Sequence, residues 1–227
     1  MRIINLIKGD IRFQFKYGFY FVYAVFTAVY IALIFVMPLV WRERAAAIMV
    51  FSDPAAMGLF FMGAIVLLEK SERVLNSIAV SPVKTGEYIL SKVMSLMFIS
   101  VVVGITIILP TGTKSLFASV VGIAFGSAFF TLCGLIVAAN ISSLNQFLTT
   151  SVPIEIISFL PPIFYLFGYD SMLMLIHPGC IIISLISGNS KHLFLLSAIL
   201  SMWLVTLYFI AHKYIRKMFQ NAGGVSL

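Results

Sequence analysis

The sequence predicts an all-α polytopic membrane protein, six transmembrane helices in a single domain covering residues 1–227. Three observations lead there. Hydrophobic residues make up 61% of the chain and charged residues 10%, against about 25% charged in an ordinary soluble domain, and mean hydropathy is +1.09. The apolar runs are long and lack the alternation of barrel strands, and the length suits roughly five to seven helices of about 20 residues. The third observation is where the cations fall, and it needs the elements in order.

Residues 1–17 read as an amphipathic helix at the membrane surface. Ile3, Ile7, Ile11 and Phe15 recur every four residues, as do Lys8, Arg12 and Lys16, so one face rests in lipid while cations meet headgroups. There is no signal-peptide core, so the first span, about Phe19 to Val40, stays as an anchor. "WRER" at 41–44 reads as the first outer loop, and residues 45–52 as a short outer or re-entrant piece. Asp53-Pro54 is a helix-start signature, Asp53 as N-cap and Pro54 in the first turn, with a substrate contact as the other reading of Asp53. The uncharged run 54–68 gives about 22 Å of helix at 1.5 Å per residue, short for a core of about 30 Å. The helix therefore continues past Glu69, with Lys70 snorkelling.

A charged stretch follows. "SERVLNSIAV" puts Val74, Leu75 and Ile78 on one face of a short surface helix. The third span runs from about Tyr88 to Leu109, the fourth from Leu116 to Ala139 and the fifth from Phe147 to Phe167. His177-Pro178-Gly179 breaks the next apolar stretch, so residues 171–190 read as two short helices dipping from the outer face. The last span is about Leu193 to Ala211, and "HKYIRKMFQNAGGVSL" is the tail.

Six spans put both termini on one side. That side holds Arg2, Lys8, Arg12, Lys16, Lys70, Arg73, Lys84, Lys92, Lys213, Arg216 and Lys217; the other holds Arg42, Arg44, Lys114 and Lys191. This 11:4 split places both termini in the cytoplasm of a plasma (inner) membrane. It also accounts for the net charge of +7 without nucleic acid as a partner. The membrane lipid is the partner that composition implies.

Catalytic patterns are missing from the sequence. "PTGTKS" at 110–115 echoes a phosphate loop but lacks its first glycine at the required spacing. There is no H-E-x-x-H and no Cys-x-x-Cys; Cys133 and Cys180 read as free thiols in apolar surroundings. The expectation is a chain that is not an enzyme, with no catalytic, metal or cofactor residues. Glu155 is an acid inside the fifth span. Such carboxylates are costly; either it serves function, or it sits near the cytoplasmic edge beside a cation. Ala118, Gly122 and Gly126 recur every four residues, a spacing that lets helices approach closely, within the chain or, as the other reading, in a dimer.

The residues carry a family likeness. "GDIRFQFKYGFYFVYAVFTAVYIALIFVMP" (9–38) and "FSDPAAMGLFFMGAIVLLEKSERVLNSIAVSPVKTGEYILSK" (51–92) resemble ABC-2 type transporter permeases, in particular the fluoroquinolone-export branch. Glu69, Glu72, Leu75, Ser81, Pro82, Ser91 and Lys92 fill the places of the family's acidic stretch, its Ser/Thr-Pro and its Ser-Lys pair. Arg73 stands where the wider family often has glycine, and Asn76 where it often has glutamate. The likeness continues through "NQFLTTSVPIEIISFLPPIFYLFGY" and "HPG".

This resemblance implies an ABC-2 (type V exporter-like) half-transporter. Its amphipathic N-terminal helix matches 1–17, its coupling helix about Glu72 to Val80 within the region 69–82, and its re-entrant outer helices 171–190. A second permease subunit, identical or not, would complete the pathway, and a separate ATP-binding subunit would hold ATP and Mg. Glu69, Glu72, Arg73, Leu75, Ile78 and Pro82 are then the expected ATPase contacts. Met57, Phe60, Phe61 and Ala64 of the second span, and Glu155, Phe159 and Tyr165 of the fifth, are the expected path. The cargo expected is an apolar or amphiphilic drug, lipid or peptide. The rival is a stand-alone ion-coupled secondary transporter, which would need several buried ionisable groups.

Overall fold

Every backbone N–H and C=O inside a bilayer must find its partner within the protein, which favours helices. The computed structural model meets that demand with ten α-helices among the residues it describes, 2–79, 81–169 and 171–222, and no strand among them. Six helical stretches are long and apolar enough to cross a membrane: Phe19–Val36, Leu39–Ser71, Thr85–Thr111, Leu116–Ala139, Leu144–Leu166 and Leu193–Asn221. The chain is a multi-pass, all-α membrane protein, as the composition predicted.

Helix α1 (Arg2–Lys16) lies outside the spans, and Gly18 turns the chain into α2 (Phe19–Val36) at φ +78°. The second span departs from expectation. It is one helical stretch: α3 (Leu39–Val50), a π-helical turn (Phe51–Ala55) and α4 (Met57–Ser71). "WRER" is therefore helical, not a loop. Arg42 turns back to the end of α2, donating from Nε to the Met37 carbonyl (2.9 Å) and from Nη2 to the Phe35 carbonyl (2.9 Å). Asp53 is not an N-cap but lies inside the π turn. Pro54 has no N–H for the helix ladder, and the wider turn absorbs that loss without ending the helix. The apparent shortness of residues 54–68 disappears because the helical stretch begins upstream at Leu39 and runs 33 residues in all, about 50 Å of helix.

Helix α5 (Val74–Ala79) is the short surface helix, and Val80, the end of the expected coupling helix, lies outside the described residues. Then come α6 (Thr85–Ile108), α7 (Leu116–Ala139) and α8 (Leu144–Leu166). Ser115 and Ser143 cap α7 and α8, accepting from the N–H of Ala118 and Gln146. The His-Pro-Gly break separates a 3₁₀ turn (Met172–Ile176) from α9 (Pro178–Ile186), whose residues are all buried. Helix α10 (Leu193–Ala222) does not stop near Ala211. Its end continues past the expected span because Ile215 and Met218 bury against the same core as Leu75 and Tyr88.

Helix α7 is the central post, packed on α4, α6, α9 and α10. Glycines make this possible. A Cβ at Gly122 would stand 2.8 Å from the Ile186 backbone nitrogen, one at Gly126 2.8 Å from Ile182, and one at Gly134 2.6 Å from the Leu59 carbonyl oxygen. The small-residue row thus serves packing within the chain. Arg2 donates to the Pro82 carbonyl (3.2 Å) and Phe219 packs on Tyr88, so α1, α5 and the end of α10 share one end of the bundle.

Candidate functional site

The termini end is built around a buried ion cluster. Lys92 of α6 is 1% exposed. Its Nζ donates to Asp10 Oδ1 of α1 (2.5 Å) and to Glu69 of α4. Tyr88 adds its hydroxyl to Glu69 Oε2 (2.6 Å), and Gln14 of α1 donates to Ser95 Oγ (2.9 Å). Two carboxylates around one ammonium satisfy each other where water is scarce. The cluster ties α1, α4 and α6 into one body. The polar row Asp10–Gln14 of α1, spaced i, i+4, faces α6, while Lys8, Arg12 and Lys16 are exposed.

Glu69 was expected at the docking surface. The structure puts it inside, 3% exposed, because its charge is met by Lys92. Lys70 does not snorkel towards headgroups. Its Nζ donates to the carbonyls of Ala138 (2.8 Å) and Ile141 (2.6 Å), at the C-terminus of α7 where a cation meets the negative end of the helix dipole. Leu75 is buried and Ile78 half-buried, both packed into the bundle, since an apolar face gains by leaving water. What remains outward is Ser71, Glu72, Arg73, Asn76, Ser77 and Pro82. Glu72 accepts a hydrogen bond from the Tyr17 hydroxyl, and this bond to a carboxylate pushes the tyrosine's pKa up. Arg73 sits at φ +59°, the left-handed region in which glycine is at ease.

The expected path residues do not converge. Phe61 turns towards α2, edge-on to Phe19 (4.8 Å between ring centroids) and Tyr23 (5.0 Å). Phe159 packs on Phe51 (5.1 Å) and Phe130 (5.8 Å). Met57, Phe60 and Ala64 are half-buried along α4. Tyr165 lines a polar vestibule of about 720 Å³ at the end opposite the termini, together with Arg44, Lys114 and Lys191. Glu155 lies 11 residues into α8, about three turns, not near its edge, and its Oε1 is buried with no hydrogen-bond partner. Asp53 Oδ2 is in the same state.

Helix α8 carries Pro153, Pro161 and Pro162 inside it. Pro161 and Pro162 leave the carbonyls of Ile157 and Ser158 without their ladder donors. The break before α9 comes to those two groups: the His177 imidazole lies beside the Ile157 carbonyl, and a Cβ on Gly179 would lie 2.6 Å from the Ser158 oxygen. Burial pushes the His177 pKa below its usual value. Among the described residues no three His, Cys, Asp or Glu side chains converge as metal ligands.

Residues 1–189 match the model of the fluoroquinolones export permease protein family. The fluoroquinolones export permease proteins of two Mycobacterium tuberculosis strains, CDC 1551 / Oshkosh and ATCC 25618 / H37Rv, are each 28% identical to this chain over 169 residues, covering 72% of it and 70% of the relative.

Proposed function

The chain belongs to the fluoroquinolones export permease protein family and is a multi-pass transport permease, and on that premise we propose that it is the membrane-spanning subunit of an ATP-binding-cassette exporter. The observation that carries this reading is the outward turn at Glu72-Arg73. It is polar and exposed, holds a non-glycine residue at positive φ, and stands on the buried Asp10–Lys92–Glu69 cluster. Strained backbone of this kind clusters at functional sites. A separate ATP-binding subunit, carrying ATP and Mg, docks there. A second permease subunit completes the path, with both termini cytoplasmic in the plasma membrane.

The arrangement supports a mechanism. Closure of the ATPases moves the turn. Because Glu69 and Lys70, just before it, are fixed to α6 and α7, the movement passes into α4 as a rigid rod rather than being lost in a loop. The rod meets its break at the π turn around Asp53. A rigid-body switch between inward and outward access follows, and an amphiphilic drug, lipid or peptide is released because its affinity differs between the two states.

One observation favours a second reading. Asp53 and Glu155 are intramembrane carboxylates without an ion-pair partner among the described residues, which suits an ion-coupled transporter with sites near the bilayer midplane. Transport in proteoliposomes decides between them. The exporter needs ATP and the ATPase subunit and ignores a collapsed proton gradient; the ion-coupled carrier needs the gradient and no ATP.

A further inference from the structure

Two rules disfavour cations at the end of the bundle opposite the termini. Basic residues crowd one side of a membrane protein, here the side of the termini. A cation at a helix N-terminus also meets the positive end of the helix dipole. The opposite end nevertheless carries Arg42, Arg44, Lys114 and Lys191. Arg42 is used by the chain itself, on the Phe35 and Met37 carbonyls. The other three line the polar vestibule of about 720 Å³. Each comes from the start of a span that runs back towards the termini. Arg44 lies in the second turn of α3, Lys114 stands just before the Ser115 cap of α7, and Lys191 just before α10.

The walls of the vestibule are fixed to one another. A Cβ on Gly188, at φ +76°, would stand 2.7 Å from Thr113 Oγ1 and 3.0 Å from the Ser115 nitrogen. The loop that carries Lys191 is thus pressed against the loop that carries Lys114. Ser119 ties the same segments, donating to the Ile186 carbonyl (2.8 Å). Deeper in, Ser184 is buried and accepts from Asn189 Nδ2 (3.2 Å). Among the described residues the lining holds one acid, Glu43, 3.4 Å from Lys114. Both partners of that pair reach water, so it holds weakly and yields to a stronger anion. Arg44 and Lys191 have no carboxylate partner among the described residues.

The rim selects the kind of anion. Val40 is 84% exposed and Phe167 55%, and both border the same cavity. Apolar side chains beside cations, at the ends of membrane spans, suit a molecule with a charged head and an apolar body. Basic pockets between membrane helices hold lipid headgroups in this way. We infer that the vestibule is a binding site for the phosphate of an anionic phospholipid from the leaflet opposite the termini. Arg44, Lys114 and Lys191 supply the positive charge, and Val40 and Phe167 border the acyl chains. A zwitterionic lipid carries the same phosphate, but its own ammonium offsets the charge. The site goes beyond the export reading, because it stands whether transport is driven by ATP or by an ion.

The test uses the full-length chain in phosphatidylcholine nanodiscs. These carry traces of photoactivatable phosphatidylglycerol or, separately, photoactivatable phosphatidylcholine, each with a diazirine at the head of one acyl chain. Labelled peptides are mapped by mass spectrometry. Phosphatidylglycerol labels the vestibule walls, residues 40–44, 165–168 and 187–191, in preference to phosphatidylcholine. Arg44→Gln with Lys191→Gln lowers that labelling by about tenfold or more, the scale of a lost hydrogen bond to a charged group. Labelling beside Lys213 and Lys217, at the other end, stays unchanged. Lys191→Arg keeps the charge and retains the labelling. Arg44 and Lys191 are both exposed, and Lys191→Gln alone serves if the double variant does not fold. Excess inorganic phosphate separates a lipid from a soluble anion: the lipid's labelling survives it, because the rim also holds the tails. Equal labelling by the two lipids, native labelling by the folded Gln variant, or loss of labelling to inorganic phosphate overturns the inference.

Discussion

Arg73 shows how much one backbone angle carries. Its φ of +59° lets the chain leave α4 and enter α5 within a single tight turn, with its N–H donating to the Lys70 carbonyl (3.2 Å). Left-handed geometry costs a residue with a Cβ roughly 1–2 kcal/mol. Arg73→Gly relieves it, less the extra freedom glycine brings to the unfolded chain, so the variant gains about 0.5–1 kcal/mol, read as a raised Tm in detergent. Arg73→Ala gives no such gain. The family resemblance marks position 73 as one where glycine is common, and the dihedral agrees with it. His177 gives a pH test. Its pKa is lowered in the fold by burial, so the neutral form is favoured there. The stabilisation is complete above the ordinary histidine value of about 6.5 and is lost as pH falls below it. Lowering the pH from 7.5 to 5.5 therefore reduces Tm, and His177→Gln flattens that slope.

At the scale of elements, α1 is held by chemistry as well as by amphipathicity. Lys92→Met strands Asp10 and Glu69 against each other. Breaking one side of a buried ion cluster costs about 3–5 kcal/mol. The expected outcome is a large fall in Tm, with protease cleavage appearing between α1 and α2. The triple variant Asp10→Asn, Glu69→Gln, Lys92→Met recovers much of the loss, because no charge is left unmatched. The lipid-and-headgroup reading of α1 identified its cations but not its inner face, although Asp10 and Gln14 stand four apart on the helix. A two-residue polar row is a weak signal beside two four-residue rows. The second span was misread for a related reason. Asp-Pro is a true helix-start signal locally, but it says nothing of a helix already running from Leu39, which a π turn carries past the proline.

For the whole molecule, the six spans were legible because a bilayer enforces length and apolarity so strictly, and the helix break at His177-Pro178-Gly179 was legible from its proline and glycine. The fourth span begins and ends at Leu116 and Ala139 as expected. The helical tail of α10 was less legible: Ile215 and Met218 look like tail residues until α5 and α6 are there to cover them. The exposure of the expected docking residues was legible in part. Glu72, Arg73 and Pro82 face outward, whereas Glu69, Leu75 and Ile78 are taken by the chain's own interior, and side-chain direction on a six-residue helix depends on neighbours that are remote in sequence. The most direct test of the central claim is transport of an amphiphile by the permease and its ATPase partner in proteoliposomes, comparing the native chain with Glu72→Ala/Arg73→Ala. The account predicts ATP-driven transport by the native complex. In the double variant transport falls by an order of magnitude or more, as expected if the turn supplies about 1.4 kcal/mol or more of coupling, while ATP hydrolysis continues. Native transport by the double variant would contradict it.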